Sequence, residues 1–239
     1  MPARNSKKDY LENGYYHLYN RGVEKRLIFQ DEQDYAVFLS YLKTYLLPKN
    51  EKELEAAFAN PETPYNEREK ILALLHLNNF NSEIKLLSYS LMPNHFHLLV
   101  KQASEMAIDK FMNSLNTRYT MYFNKKYKPV GCLYQGVYKA VLIDSDEQLL
   151  QLSRYIHRNS PLLENKSATK GLPFRACQNW VWEKSSLPEY LGQRKTEWIH
   201  PEEILSYFSK SNPQLSYQSF VEETEDLSLI GKQTLDIDF

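Results

Sequence analysis

Tyr89-Ser90-Leu91-Met92-Pro93-Asn94-His95-Phe96-His97-Leu98-Leu99 is the stretch on which the reading of this chain turns. Ile84 to Leu91 (IKLLSYSL) and His95 to Lys101 (HFHLLVK) are two strand-like runs, and the Pro93-Asn94 pair between them is turn chemistry, so the segment predicts a β-hairpin. His95 and His97 stand two apart on the second strand. Strand side chains alternate, so both imidazoles leave one face and Phe96 leaves the other. Such a pair suits a divalent ion completed by a further oxygen or nitrogen ligand. It equally suits one core histidine and one exposed histidine, and spacing alone favours that second reading.

Outward from the hairpin, Tyr15 to Arg21 (YYHLYNR), bracketed by Gly14 and Gly22, predicts a first strand. Asp31 caps a helix whose apolar residues Tyr35, Phe38, Leu39, Leu42 and Leu46 recur at three- and four-residue spacing until Pro48. A charged insertion over about 48–82, broken by Asn60-Pro61-Glu62-Thr63-Pro64, predicts two short helices near 51–59 and 66–77. After the hairpin, Ser104 opens a long helix with Ile108, Phe111, Met112, Leu115, Tyr119, Tyr122 and Phe123 on one face. Leu133 to Ile143 predicts a fourth strand. Ser145 and Gln148 match a capping box for a further helix that stops before Pro161. The order β-α-β-β-α-β is the split βαβ of an α+β, ferredoxin-like (RRM-like) fold. It has an antiparallel sheet with helices on one face, and the extra helix is added at its C-terminal end.

Composition narrows the class. No apolar run approaches the roughly 20 residues of a spanning helix, and the first residues lack the apolar core of a signal peptide, so the expectation is a cytoplasmic protein with no membrane partner. Cys132 and Cys177 are isolated thiols, which excludes a cysteine-rich zinc module. The net charge is −1, but Val221 to Phe239 hold six acids against Lys232. The first 220 residues therefore carry 28 basic against 24 acidic side chains, a net +4. Between Lys85 and Ser160 there are ten Lys or Arg and five Asp or Glu, with aromatics interleaved, a footprint compatible with phosphate binding or with an ordinary solvated surface. Past residue 161 the pattern weakens to an aromatic segment around Trp180 and Trp182 and a short helix at 202–208. The last twenty or so residues read as a flexible tail or docking strand.

On the helix that opens near Ser145, Leu149, Leu152 and Ile156 make the core stripe. Gln148, Tyr155 and Asn159 line one border of it, and Tyr155 and Asn159 are an i, i+4 pair. A phenol beside an amide, on a helix packed over the histidine strand, can supply a nucleophile and a third metal ligand. A boundary tyrosine with its hydroxyl in water fits the same spacing. Arg154 and Arg158 face outward, as phosphate contacts or as solvated charges.

These segments together resemble the single-tyrosine HUH transposases, and in particular the REP-associated tyrosine transposases of the IS200-like group. The resemblance rests on Tyr89 to Leu99, on Tyr16-His17-Leu18-Tyr19-Asn20-Arg21-Gly22 with Ile28-Phe29, and on Gly131-Cys132-Leu133-Tyr134-Gln135-Gly136. It also rests on Arg154-Tyr155-Ile156-His157-Arg158-Asn159-Ser160-Pro161 and on the Trp180 to Gly192 segment. The departures are the 48–82 insertion, Ser160 between Asn159 and Pro161, and the acidic tail.

The resemblance implies a transposase domain over 1–192 and a C-terminal extension over 193–239. It implies a divalent metal cofactor, Mg²⁺ or Mn²⁺, held by His95, His97 and Asn159, and Tyr155 as the nucleophile. The implied reaction is single-stranded DNA cleavage and strand transfer next to DNA hairpins through a 5′-phosphotyrosine. The implied partner is single-stranded or hairpin DNA, bound by a monomer or a homodimer. Asn20, Arg21, Lys125, Lys126, Lys128, Lys139, Arg154 and Arg158 are the candidate DNA contacts. Two rivals remain at this point: a domesticated, non-cleaving hairpin DNA- or RNA-binding protein, and a water-using metallohydrolase built on the histidine pair.

Overall fold

The computed structural model describes residues 10–158 and 184–223. Four strands, β1 (Tyr15–Arg21), β2 (Ile84–Met92), β3 (His95–Gln102) and β4 (Lys139–Ile143), form one sheet in the order β2-β3-β1-β4, with every neighbouring pair antiparallel. The long helices of the two βαβ halves are α1 (Glu32–Leu46) and α4 (Ala107–Tyr127), and α2 (Glu51–Ala59) and α3 (Tyr65–Leu75) form the insertion. This is the expected ferredoxin-like α+β arrangement.

Alternation along β3 builds two cores. Phe96, Leu98 and Val100 are fully buried against Phe38 and Leu42 of α1 and Phe111, Leu115 and Tyr119 of α4. Leu99 points to the other side, where it joins Leu87, Ile143 and the α5 helix (Asp146–Arg158) through Leu149, Leu152 and Ile156. A bulge at Leu86/Ser88 shifts the alternation of β2 by one residue, so that Ile84 and Leu86 before it and Tyr89 and Leu91 after it all face the first core while Leu87 faces α5. The helix carrying Tyr155 therefore closes the face of the sheet that α1 and α4 leave open.

The β2–β3 turn is locked to the chain after β1. The Pro93 carbonyl accepts from the Ile28 and Phe29 amides at 2.8 and 3.0 Å, and the Asn94 carbonyl accepts from Gly22 N at 2.8 Å. At Gly22 a Cβ would lie 2.1 Å from the Arg26 carbonyl oxygen, so only glycine allows this approach. The α1 N-terminus carries the expected cap, with Asp31 accepting from Asp34 N in a full capping box.

Three expectations are corrected. The fourth strand begins at Lys139 and not at Leu133, because the preceding residues bond to the end of β1: Val23 N donates to the Leu133 carbonyl and Gln135 N to the Arg21 carbonyl. Ser104 does not cap α4; its hydroxyl meets Glu83, and the Gln102 side chain accepts from Ile108 N. The last twenty or so residues are not all tail, since Val221 is buried on a helix, while the short helix expected at 202–208 is present. Helices α6 (Leu187–Tyr190), α7 (Glu202–Leu205) and α8 (Tyr217–Glu222) bury Leu187, Tyr190, Ile204, Tyr217 and Val221 in the second core, where apolar burial outweighs the polar average of the segment. Trp180, Trp182, Cys177 and residues 224–239 lie outside the described residues.

Candidate metal and nucleophile site

Strand register assembles the site. On the α5 face, Ser90 of β2, His97 of β3, Tyr19 of β1 and Lys139 of β4 form one cross-strand row. His95 stands opposite Arg21 in the next row. Directly paired side chains lie about 5 Å apart at Cβ, so the two histidines are flanked by Arg21 and, two strands from His97, by Lys139.

His97 is completely buried and His95 is 5% exposed, with ring centroids 4.9 Å apart and rings nearly perpendicular. Nδ1 of His97 lies 2.8 Å from Nε2 of His17, a fully buried histidine on β1 whose ring stacks on it at 5.0 Å. Nε2 of His97 is buried without a hydrogen-bond partner. His95 Nδ1 lies 2.6 Å from the Asn94 side-chain oxygen. Burial first, then the adjacent His95, His17 and Arg21, hold the His97 pKa well below the usual histidine range, so the ring stays neutral near pH 7. A neutral imidazole with one nitrogen held and the other buried and unsatisfied is the form a metal ligand takes, so these residues fit a divalent ion. Among the described residues no group of three His, Cys, Asp or Glu surrounds such a site, and Asn159, the expected third ligand, lies outside them.

Tyr155 faces the histidines from α5. It is 3% exposed, and its ring meets that of His97 edge-on at 5.5 Å. One turn of polar contacts holds this helix in place. His157, fully buried, has Nδ1 2.7 Å from Tyr217 Oη and Nε2 2.8 Å from Ser186 Oγ. Ser186 Oγ in turn accepts from Tyr89 N at 2.8 Å, and Tyr217 Oη donates to Ser153 Oγ at 3.1 Å. Burial pushes the His157 pKa down to about 3. The network thus ties α5 to β2 and to α8 with every partner neutral.

The candidate DNA contacts divide. Arg154 does not face solvent: it is 3% exposed, donates to the Phe220 carbonyl at 3.3 Å and to Gln151, and lies 4.5 Å over the Phe220 ring. Arg158 donates to the Glu223 carbonyl. The C-terminal helix covers the side of α5 expected to face outward, so Arg154 is not the solvent-facing charge of the sequence reading. Lys126 is bound at 2.7 Å to both Asp31 and Asp34, and buried Asn20 holds Arg21 N and the Gly136 carbonyl from the opposite face of β1. Lys125, Lys128 and Lys139 are exposed, and Arg21 is half-buried with a buried Nε that has no partner. His17 was not singled out in the sequence. Only the β1–β3 register, which joins residues eighty positions apart, reveals it.

The family model described as "Transposase IS200 like" matches residues 64–159, about two fifths of the chain. Among solved structures, a REP-associated tyrosine transposase bound to a REP hairpin is similar at 9% identity and a TM-score of 0.40, covering 82% of this chain and 96% of that one. A transposase candidate from Deinococcus radiodurans R1 is similar at 16% identity and a TM-score of 0.28, covering 64% and 96%. No curated protein matches. The matched segment contains β2, β3, α4, β4 and α5, and with them His95, His97 and Tyr155. Over residues 64–159 the chain is similar to the IS200-like transposase family.

Proposed function

We propose that the protein is a metal-dependent transposase that cuts and rejoins single-stranded DNA beside hairpins, with Tyr155 as nucleophile. The observation that carries this reading is the approach of Tyr155 to His97 within one chain, beside a buried imidazole nitrogen that no protein group satisfies. His95 and His97, with Asn159 as third ligand, would hold Mg²⁺ or Mn²⁺, which supplies Lewis-acid polarisation of the scissile phosphate. Arg21, opposite His95, and Lys139, in the row of His97, neutralise backbone phosphates on the same face. The Tyr155 oxygen forms a bond to phosphorus and releases its proton to solvent as the bond from phosphorus to the 3′ oxygen breaks. That oxygen takes up a proton from solvent and leaves as a 3′-hydroxyl, and the 5′ end stays on the enzyme as a phosphotyrosine. Attack by a 3′-hydroxyl reverses the step without ATP, because the phosphodiester energy is kept in the covalent link.

The cis placement of Tyr155 favours a working monomer, with the transposase domain over 1–192 and Tyr217 and Phe220 of the 193–239 extension bracing the tyrosine helix. No described helix is long and apolar enough to cross a membrane.

Labelled single-stranded hairpin DNA from the flanks of the protein's own gene, incubated with Mn²⁺ or EDTA, tests the proposal. The expected result is a denaturation-resistant adduct that requires Mn²⁺ and is lost in Tyr155→Phe while DNA retention persists. An adduct undiminished in Tyr155→Phe refutes the nucleophile. Retention without any adduct refutes cleavage and favours a hairpin-binding protein.

A further inference from the structure

The β1 strand lies outside the matched family segment, yet it presents His17 to the metal-binding candidate His97. Both rings are fully buried and stacked at 5.0 Å with a 20° interplanar angle, and a single 2.8 Å contact joins His17 Nε2 to His97 Nδ1. Only one proton can occupy that contact, so one nitrogen donates and the other accepts. If the proton sat on His17, His97 Nδ1 would be the acceptor and His97 would carry its own proton on Nε2, which closes the lone pair that a cation needs. If the proton sits on His97 Nδ1, its Nε2 presents a lone pair, the form that binds a cation. His17 Nε2 is spent on His97 Nδ1, which makes His17 the partner of a ligand.

We infer that His17 is a positioning residue: by accepting a hydrogen bond from His97 Nδ1 it fixes the tautomer and ring orientation that leave His97 Nε2 open to a divalent metal. The inference rests on the metal site of the proposed transposase and names a residue that holds its ligand. Partners of this kind orient ligating histidines, and their loss commonly weakens metal binding about 10- to 100-fold.

Two measurements test it. Long-range ¹H–¹⁵N correlation spectra of the metal-free wild-type protein read the tautomers directly. The expected pattern is a protonated Nδ1 and a bare Nε2 on His97, with a bare Nε2 on His17; a proton on His97 Nε2 overturns the inference. Calorimetric titration with Mn²⁺ alone then compares wild type, His17→Phe and His17→Gln. His17→Phe keeps the stacked ring without an acceptor and is expected to bind about 10- to 100-fold more weakly. His17→Gln places an amide oxygen where Nε2 stood and is expected to recover most of the affinity. Wild-type binding that is unchanged in His17→Phe, or lost equally in both variants, defeats the positioning role alone. Absence of Mn²⁺ binding by wild type defeats the metal reading beneath it, whatever tautomer the spectra show.

Discussion

Acid should loosen the tyrosine helix through His157, and the loss can be worked out. In the unfolded chain this imidazole takes up a proton near pH 6.5, whereas in the fold, enclosed by Tyr190, Tyr217, Ser153 and Ser186, its pKa is pushed down to about 3. Between those values the unfolded state binds the extra proton and the native state does not. The stabilisation is therefore complete above about pH 6.5 and falls with decreasing pH, by about 1.4 kcal/mol per unit for full linkage. From pH 6.5 to 4.5 that amounts to roughly 3 kcal/mol, a large share of the 5–15 kcal/mol typical of a domain. With a urea slope of about 3 kcal/mol/M the midpoint should drop by about 1 M from this group alone. The assay is urea unfolding at both pH values for wild type and His157→Gln. Glutamine cannot titrate, and its amide reaches Ser186, so the variant is less stable at pH 6.5 but should lose about 3 kcal/mol less on acidification. Groups common to both proteins, including the buried neutral His97, cancel in the comparison. Equal losses in the two proteins would refute the reasoning.

Other perturbations have equally direct readouts. Arg154→Ala removes the cation over Phe220 and the bond to its carbonyl, and should lower unfolding free energy by about 1–2 kcal/mol while speeding proteolysis near residue 220. Unchanged proteolysis would show that Arg154 does not hold this segment. Lys139→Ala, exposed in the row of His97, should weaken DNA binding across sequences and reduce the slope of log affinity against log salt by about 1, whereas an unchanged slope would remove Lys139 from the phosphate path. Leu98→Ala, fully buried between the sheet and the two long helices, should cost about 2–5 kcal/mol in urea unfolding. A cost under 1 kcal/mol would mean the first core repacks around it.

What the residues disclose in advance follows from the range of the forces involved. The span of β1 and the starts of β2 and β3 agree with the sequence pattern, because strand-forming runs bracketed by Gly14, Gly22 and the Pro93-Asn94 turn are a local signal. The α5 wheel likewise puts Leu149, Leu152 and Ile156 inward. Long-range facts are absent from such patterns. His17 looks like any strand aromatic until β3 pairs with β1. Arg154 looks solvent-facing until Phe220, sixty-six residues later, folds over it. Leu133 to Tyr138 has strand composition, but its amides and carbonyls are drawn to the end of β1, so the fourth strand is short. Asn159, named as a ligand by resemblance, lies outside the described residues, so the third arm of the site is read from sequence alone.

The central claim is that Tyr155, set against His97, takes the DNA. Protein incubated with Mn²⁺ and cleavable hairpin DNA, trimmed with nuclease and digested with protease, can be mapped by tandem mass spectrometry. The account predicts a nucleotide phosphate on the peptide containing Tyr155, at that side chain. A phosphate on any other tyrosine or on a serine, with Tyr155 unmodified, would contradict it.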